Sequence, residues 1–188
     1  KDYTAEPGAV EQVAAFVAEL TSDLGEFESV GVAVPGLISH DTRRVAFSAH
    51  IPEHSEIDLA KGVHEATGLP TVIENDANAA AYGEFRLGAG RESRNLFYAT
   101  LGSGVGGAFI FDGLIWRGKA GFAGEFGYVA INSEGMRLED VASSANIIRR
   151  TRSRILQDST SSLSSLEAAE IGIVDIVSAA ETEDDLAQ

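Results

Sequence analysis

The glycine-rich run from Gly102 to Gly107 connects two segments that both have the composition of β-strands, 95–101 and 108–111. A loop that binds a dinucleotide opens a helix, and a Walker loop carries Gly-Lys-Ser or Gly-Lys-Thr, so neither motif is present. The Asp112-Gly113 pair is a strong hairpin signal before a further short strand over 114–116. The run therefore predicts a strand–glycine turn–strand hairpin. Its backbone N–H groups can cover the phosphates of a nucleotide, although a bulged structural hairpin has the same pattern.

The rest of the chain alternates helical and strand patterns. Apolar residues at three- and four-residue steps predict a helix over 9–24, ended by Gly25. A β-branched run predicts a strand over 29–34 that is buried on both faces. Further helices are predicted over 58–67, 75–87 and 138–156, strands over 45–48 and 70–73, and a serine-rich linker over 158–165 ahead of a helical, acidic tail. This alternation indicates an α/β protein with a largely parallel sheet, and a polar turn suggests a domain boundary near Arg94.

The composition excludes several functions. The 188 residues carry a formal charge of −15, which repels DNA phosphate, so we expect no direct contact with nucleic acid from this region. The chain has no Cys, which removes disulfides, Cys-ligated zinc and thiol catalysis. No apolar run approaches the roughly 20 residues of a membrane helix, and no signal-like segment is seen. We therefore expect a cytoplasmic protein without a membrane partner. Because the sequence begins at Lys1, we expect it to be an excerpt of a longer chain.

The run Glu74-Asn75-Asp76-Ala77-Asn78 joins the end of a predicted strand to the start of a helix. A single Asn or Asp is enough to cap a helix, and capping is the structural alternative for this run. Four polar side chains among five residues stand where open α/β sheets bind ligands, at the carboxyl end of a strand. The positive end of the helix favours the ionised form of Asp76. A carboxylate there can accept the proton of a hydroxyl nucleophile.

Glu125 and Glu139 carry little information by themselves. Each alone is typical of a solvated surface or of a charge at a helix N-terminus. The basic cluster of Arg149, Arg150, Arg152 and Arg154 is spread around a predicted helix, which favours ion pairs within an acidic chain over a nucleic-acid patch. The histidines lack metal-ligand spacing, and no Gly-x-Ser-x-Gly elbow is present.

Four segments gain meaning when they are taken together. They are Val32-Ala33-Val34-Pro35-Gly36, Glu74-Asn75-Asp76-Ala77-Asn78-Ala79-Ala80, Thr100–Gly107 and Ala123-Gly124-Glu125-Phe126-Gly127. In this order and spacing they resemble the ROK family of sugar kinases and sugar-responsive repressors. The first looks like the family's Val-Pro-Gly segment, the second its most specific motif, the third its second phosphate loop and the fourth a sugar-binding segment. The resemblance extends from Val30 to about Ile148.

The resemblance implies an α/β fold, the actin-like ATPase duplication of ribonuclease-H-like domains, truncated at both ends. A partial first domain would cover 1–94 and a partial second domain 95–188. The implied activity is glucokinase-like, the ATP-dependent phosphorylation of a hexose, with Asp76 as general base. The implied sugar ligands are Gly36, Asn75, Glu125 and Glu139, and the implied contacts to the β- and γ-phosphates of ATP are Gly102, Ser103 and Gly104. A homodimer is also implied.

The sequence departs from the family pattern at several points. Tyr128 stands where the family has a His and the cysteine cluster is missing, so we expect no structural zinc. His50 stands where an Asn usually contacts the sugar. The Asp-x-Gly-x-Thr motif for phosphate and Mg²⁺ lies outside this sequence, so half of the nucleotide site is expected elsewhere. A second interpretation stays open, the sugar-sensing effector domain of a ROK-type transcriptional repressor, although an intact Glu-Asn-Asp run favours the kinase.

Overall fold

The computed structural model describes residues 8–39, 44–47, 58–157, 160–182, 184 and 186–187. The helices are α1 (Ala9–Leu24), α2 (Leu59–Thr67), α3 (Asp76–Leu87), α4 (Leu138–Ala142), α5 (Ser144–Ile155) and α6 (Ile173–Glu181), with 3₁₀ helices at Phe126–Tyr128 and Ser162–Ser165. The strands are β1 (Val30–Val34), β2 (Leu37–Ile38), β3 (Val45–Phe47), β4 (Thr71–Asn75), β5 (Leu96–Leu101), β6 (Val105–Phe111) and β7 (Leu114–Ile115). Of the positions used above, Lys1, Ser48, His50, Asp158, Ser159 and Gln188 lie outside the described residues.

The chain divides into two compact units. The first comprises residues 1–98 and 108–124, and the second comprises residues 99–107 and 125–188. Strands β5 and β6 each belong in part to both units, and the glycine turn between them belongs to the second. The domain ranges 1–94 and 95–188 remain a prediction.

In the first unit, β1 and β4 form a parallel pair, in register from Val30 opposite Thr71 to Val34 opposite Asn75. Strands β2 and β3 pair antiparallel, as do β6 and β7 of the three-stranded sheet β5–β6–β7. A largely parallel sheet is therefore wrong for the described strands. The glycine hairpin and its Asp-Gly turn make local antiparallel pairs, which need no crossover helix.

Strand β1 has one covered face and one open face. Val34 is 2% exposed and packs with Ala9 of α1 and Leu59 of α2, among other apolar residues. Gly31 and Ala33, on the opposite face, are exposed. The prediction that this strand is buried on both faces is wrong, because the two helices cover only the face that carries its valines.

The ends of α1 and α2 follow the local residue signals. Asp58 caps α2 by accepting a hydrogen bond from the Lys61 N–H at 3.1 Å. Gly68 follows α2 with a φ of 74°, and Gly25 follows α1 with a φ of 96°. Both glycines adopt backbone conformations that a side chain would strain, so both predicted helix stops are confirmed.

The glycine hairpin is shorter at its turn than predicted. Strand β6 begins at Val105, so Gly106 and Gly107 lie in the strand rather than in the turn. At the other end of β6, Asp112 and Gly113 have φ values of 51° and 80°, as a two-residue hairpin turn requires. Helix α3 packs against the hairpin through a core of Ala81, Ala108 and Ile110.

The predicted single helix over 138–156 is two helices. Ser143 has a ψ of 145°, which is extended, and it separates α4 from α5. Its Oγ accepts hydrogen bonds from the N–H and the Nδ2 of Asn146, at 3.4 and 3.0 Å. Ser143 is 1% exposed, so the break is a buried cap rather than a frayed turn.

The serine-rich segment is not a plain linker where it is described. Its Ser162–Ser165 turn presents Leu163 to a core with Ile171, Ile176 and Ala179. Three of the four arginines of α5 donate to uncharged oxygen atoms: Arg149 to Asn146 Oδ1, Arg150 to Val141 O, and Arg152 to Ala169 O and Ile171 O. These contacts differ from the ion pairs expected for the basic cluster.

Within the described segments, no helix has the length and apolarity to span a membrane.

Candidate active site

Asn75 is the last residue of β4 and caps α3. Its side chain connects the end of β4 with the first turn of α3 and with the backbone at Gly36. Its Oδ1 accepts a hydrogen bond from the Asn78 N–H at 3.0 Å, and its Nδ2 donates to Gly36 O at 3.0 Å. Gly36 follows β1 with a φ of 125°, a conformation that favours glycine. Because β1 and β4 are parallel neighbours, their carboxyl ends meet here. The structure therefore brings together Gly36 and Asn75, two of the residues predicted to bind a sugar.

Asp76 is the exposed first residue of α3. Its Oδ1 accepts hydrogen bonds from the Ala77 N–H at 2.9 Å and from Asn75 Nδ2 at 3.1 Å. Both bonds that the described residues make to this carboxylate go to Oδ1, so Oδ2 keeps its lone pairs for a ligand. The positive end of the helix dipole favours negative charge at this position. The carboxylate is thus held in one orientation with an oxygen that can accept a proton.

Glu74 and Arg117 support this turn. Glu74 belongs to the polar run noted above, but neither residue was predicted to contact a ligand. Glu74 Oε1 accepts hydrogen bonds from the Asn75 N–H and from Asn78 Nδ2, both at 3.0 Å. Glu74 Oε2 accepts from Arg117 Nε at 3.0 Å and also from an Arg117 terminal nitrogen. The two residues are 43 positions apart, so no local pattern indicates that they pair.

The glycine turn of the second unit is held by backbone and side-chain contacts. The Gly102 N–H donates to Gly104 O at 2.9 Å, and Ser144 donates to Gly102 O from both its N–H and its Oγ at 2.8 Å. The Val105 N–H donates to Glu139 Oε2 at 3.1 Å. A Cβ on Gly104 would lie 2.7 Å from the same oxygen. Glu139, a predicted sugar ligand, is therefore in contact with the predicted phosphate turn.

Glu125 precedes a short 3₁₀ helix that packs on the glycine hairpin. Glu125 is half-buried, and Gly127 within the helix is buried. A Cβ on Gly127 would lie 2.1 Å from Val105 O, so only glycine allows this approach. The segment that carries Glu125 is thus fixed against the first residue of β6.

Tyr128 lies where the family resemblance predicts a zinc-binding histidine. The Arg137 guanidinium lies over the Tyr128 ring, 5.1 Å from its centroid, and forms an ion pair with Asp140 at 3.0 Å. The hydrogen bond between these two side chains raises the pKa of Arg137 and lowers the pKa of Asp140. A guanidinium supplies positive charge and no lone pair, so these residues do not fit zinc. No group of three or more His, Cys, Asp or Glu within the described segments could hold a metal ion.

The predicted site residues form two groups. Gly36, Asn75 and Asp76 lie together in the first unit, around the N-terminus of α3. Gly102, Ser103, Gly104 and Glu139 lie together in the second unit, and Glu125 belongs to the same unit. The first group offers a carboxylate and amides to a polar ligand, and the second offers backbone N–H groups at a turn. Groups of the first kind can bind hydroxyl groups, and groups of the second kind can bind phosphate.

Comparison with known proteins gives the family. The model of the ROK family matches residues 2–188, so the chain belongs to the ROK family, as the motifs predicted. The solved structure of a ROK family glucokinase from Streptomyces griseus, in complex with glucose and AMPPNP, is 31% identical to this chain with a TM-score of 0.81. The match covers 98% of this chain and 62% of that one. The fold is therefore part of the actin-like ATPase fold, which confirms the predicted fold class.

The relatives include both enzymes and regulators. The glucokinase of Streptomyces coelicolor is 39% identical over 111 residues, which cover 59% of this chain and 35% of that protein. The xylose repressor of Bacillus subtilis is 32% identical over 126 residues, which cover 67% of this chain and 32% of that protein. The chain thus spans about a third of the length of each of these two relatives.

Proposed function

We propose that the protein is a cytoplasmic sugar kinase that transfers the γ-phosphoryl group of ATP to a hexose, with Asp76 as general base. The observation that carries the proposal is the arrangement of hydrogen bonds around the Asp76 carboxylate. One oxygen is held by the Ala77 N–H and by Asn75, while the other makes no bond to a described residue. A general base needs both a fixed position and a lone pair aimed at a proton.

In the proposed reaction, a sugar hydroxyl attacks the γ-phosphorus, its proton passes to Asp76, and ADP leaves. Phosphoryl transfer depends mainly on positioning and on neutralising charge. Gly36 brings backbone close to Asn75, and Asn75 Oδ1 retains a lone pair beyond its cap bond for a sugar hydroxyl. A positioned base contributes about 10²- to 10⁴-fold to such a step.

The glycine turn would supply the phosphate contacts of the same reaction. The Gly102 N–H and the Val105 N–H already have acceptors. The N–H groups of Ser103 and Gly104 and the Ser103 hydroxyl have no acceptor among the described residues. Donors fixed in advance stabilise the transferring phosphoryl group without reorganisation. Mg²⁺ would accompany the nucleotide and neutralise charge on its phosphates.

The proposal is tested by ADP release in the natural protein. Glucose, fructose, mannose and N-acetylglucosamine are offered one at a time with ATP and Mg²⁺, and ADP is measured by a coupled assay. We expect ADP formation that depends on at least one of these sugars. Sugar binding by calorimetry without sugar-dependent ADP formation would contradict the kinase.

That contrary outcome would support a second candidate, the sugar-sensing domain of a ROK-type repressor. One structural observation favours it. The Glu139 carboxylate lies against Gly104, so a negative charge stands beside the turn that would receive phosphates. A sensor would bind sugar with the same affinity whether or not ATP is present. For a kinase, we expect each ligand to change the affinity for the other.

A further inference from the structure

The Glu74 carboxylate receives four hydrogen bonds, two on each oxygen. Those on Oε1 come from the backbone and side chain of the α3 N-terminal turn, through Asn75 and Asn78. Those on Oε2 come from one guanidinium, that of Arg117. The exposed fraction of the side chain is 22% for Glu74 and 37% for Arg117. A partly buried, two-bond pair of this kind restricts both partners more than an exposed pair does.

The bonds continue from Glu74 to the proposed catalytic carboxylate. Glu74 holds the N–H of Asn75, and Asn75 Nδ2 in turn donates to Asp76 Oδ1. Glu74 also holds Nδ2 of Asn78, a side chain that is 3% exposed and whose Oδ1 has no partner within the described segments. Losing the Glu74 contact would leave this buried amide with still fewer partners, which is unfavourable. The Glu74 carboxylate therefore stabilises the N-terminal turn of α3.

Arg117 also belongs to the segment that leads to Glu125. Its carbonyl oxygen accepts the N–H of Ala123 at 3.2 Å, which closes the loop from 117 to 123. Gly118 and Gly121 in this loop have φ values of 66° and 92°, so its backbone path is specific. One residue therefore fixes the loop before the Gly124-Glu125 pair and, through Glu74, the turn that carries Asp76.

We propose that Arg117 is a positioning residue of the sugar site, which acts through Glu74 to hold the Asn75–Asp76 turn in its catalytic orientation. The kinetic consequence rests on the proposed kinase function, whereas the effect on the turn itself does not. Arg117 makes two bonds in a fixed plane, so a lysine would replace its charge but not its geometry.

The kinetic test compares Arg117→Met, Arg117→Lys, Glu74→Gln and the double variant Arg117→Met/Glu74→Gln in the natural protein, with glucose and ATP. We expect kcat to fall about 10- to 100-fold in Arg117→Met, by more than KM rises, because a small displacement of a base is costly. Arg117→Lys should recover part of the loss. The double variant should be no worse than Arg117→Met alone, since both changes break one interaction.

The control is Arg94→Met, which removes the ion pair between Arg94 and Asp112 in the same unit. Both side chains of that pair are more than half exposed, at 80% and 65%. We expect kcat to be unchanged in this variant. Unchanged kcat in Arg117→Met, or losses in the two single variants that simply multiply in the double variant, would overturn the proposal.

A second readout does not need activity. Hydrogen exchange is measured at two backbone N–H groups of the turn. That of Asn75 donates to Glu74 Oε1, and that of Asn78 donates to Asn75 Oδ1. We expect exchange at both to accelerate about tenfold in Arg117→Met and not in Arg94→Met, because the turn opens more often. If the wild-type protein forms no ADP, the proposed function fails while faster exchange still supports the role of Arg117. Unchanged exchange would overturn that role whether or not the protein is a kinase.

Discussion

Gly127 has no room for a side chain. An added Cβ would lie 2.1 Å from Val105 O and 3.0 Å from the Val105 carbonyl carbon, and both atoms belong to the backbone of β6. Neither can move without disturbing the glycine turn. We therefore predict that Gly127→Ala lowers the free energy of unfolding by about 1–3 kcal/mol, the usual cost of overpacking. Urea denaturation of the natural protein measures this.

Gly102→Ala is the matched control, because a Cβ at Gly102 meets nothing within 4 Å. Its effect on stability should be small. Equal denaturation midpoints for wild type and Gly127→Ala would show that the 3₁₀ helix does not pack on β6 as described. Adding the single Cβ atom at Gly127 therefore tests the packing around the Glu125 segment without any substrate.

At the scale of elements, Asp184 joins the Ser162–Ser165 turn to the segment after α6. Its Oδ2 accepts hydrogen bonds from the Ser161 Oγ at 2.9 Å and from the N–H and Oγ of Ser162, both at 2.7 Å. These bonds, led by the one from the Ser162 side chain, lower the pKa of Asp184 from 3.8 to about 2. The contact therefore depends on the ionised carboxylate.

The lowered pKa predicts a pH dependence with a definite sign. Folding favours the ionised form of Asp184, so its stabilisation is complete above the unfolded pKa of 3.8 and is lost as the pH falls towards about 2. We predict that wild type is more stable than Asp184→Asn at neutral pH and that this difference shrinks across that window. Thermal unfolding of both proteins from pH 7 downwards checks it, and a difference that stays constant with pH would contradict it.

The elements also show what a sequence can predict. Asp58, Gly68 and the Asp112-Gly113 turn act through bonds to near neighbours or through their own φ angles, and all were predicted. The break at Ser143 was missed because helical periodicity averages over a window, whereas the break depends on one buried cap to Asn146. A side chain that bonds to the backbone in place of the helix hardly changes the spacing of apolar residues, so helical periodicity does not detect it.

In the candidate site, too, features set by neighbouring residues could be predicted, whereas contacts between distant residues could not. Asn75 and Asp76 could be identified because they are adjacent and stand at the end of a strand. The pairing of Arg117 with Glu74, and the contact of Glu139 with Val105, join positions 43 and 34 residues apart. Their approach is decided by the packing of whole elements, to which no local pattern refers. A local sequence pattern can therefore indicate candidate ligand-binding residues, but not the distant residues that hold them in place.

At the scale of the whole molecule, the chain is similar to proteins named as enzymes and to proteins named as regulators. The chain is 39% identical to a glucokinase over 111 residues and 32% identical to a xylose repressor over 126 residues. The chain is similar to both, so similarity alone does not decide between an enzyme and a regulator. The difference must lie in chemistry, and the chemistry of the kinase requires a base.

The most direct test is therefore Asp76→Asn in the natural protein, measured with the hexose that gives the fastest ADP release. Asparagine keeps the acceptor for the Ala77 N–H but cannot take up a proton. We predict that calorimetric sugar binding is retained while kcat falls about 100-fold or more. Asp112→Asn, an exposed aspartate in the same unit, should leave kcat unchanged. A kcat for Asp76→Asn near that of wild type would contradict the assignment of Asp76 as the general base.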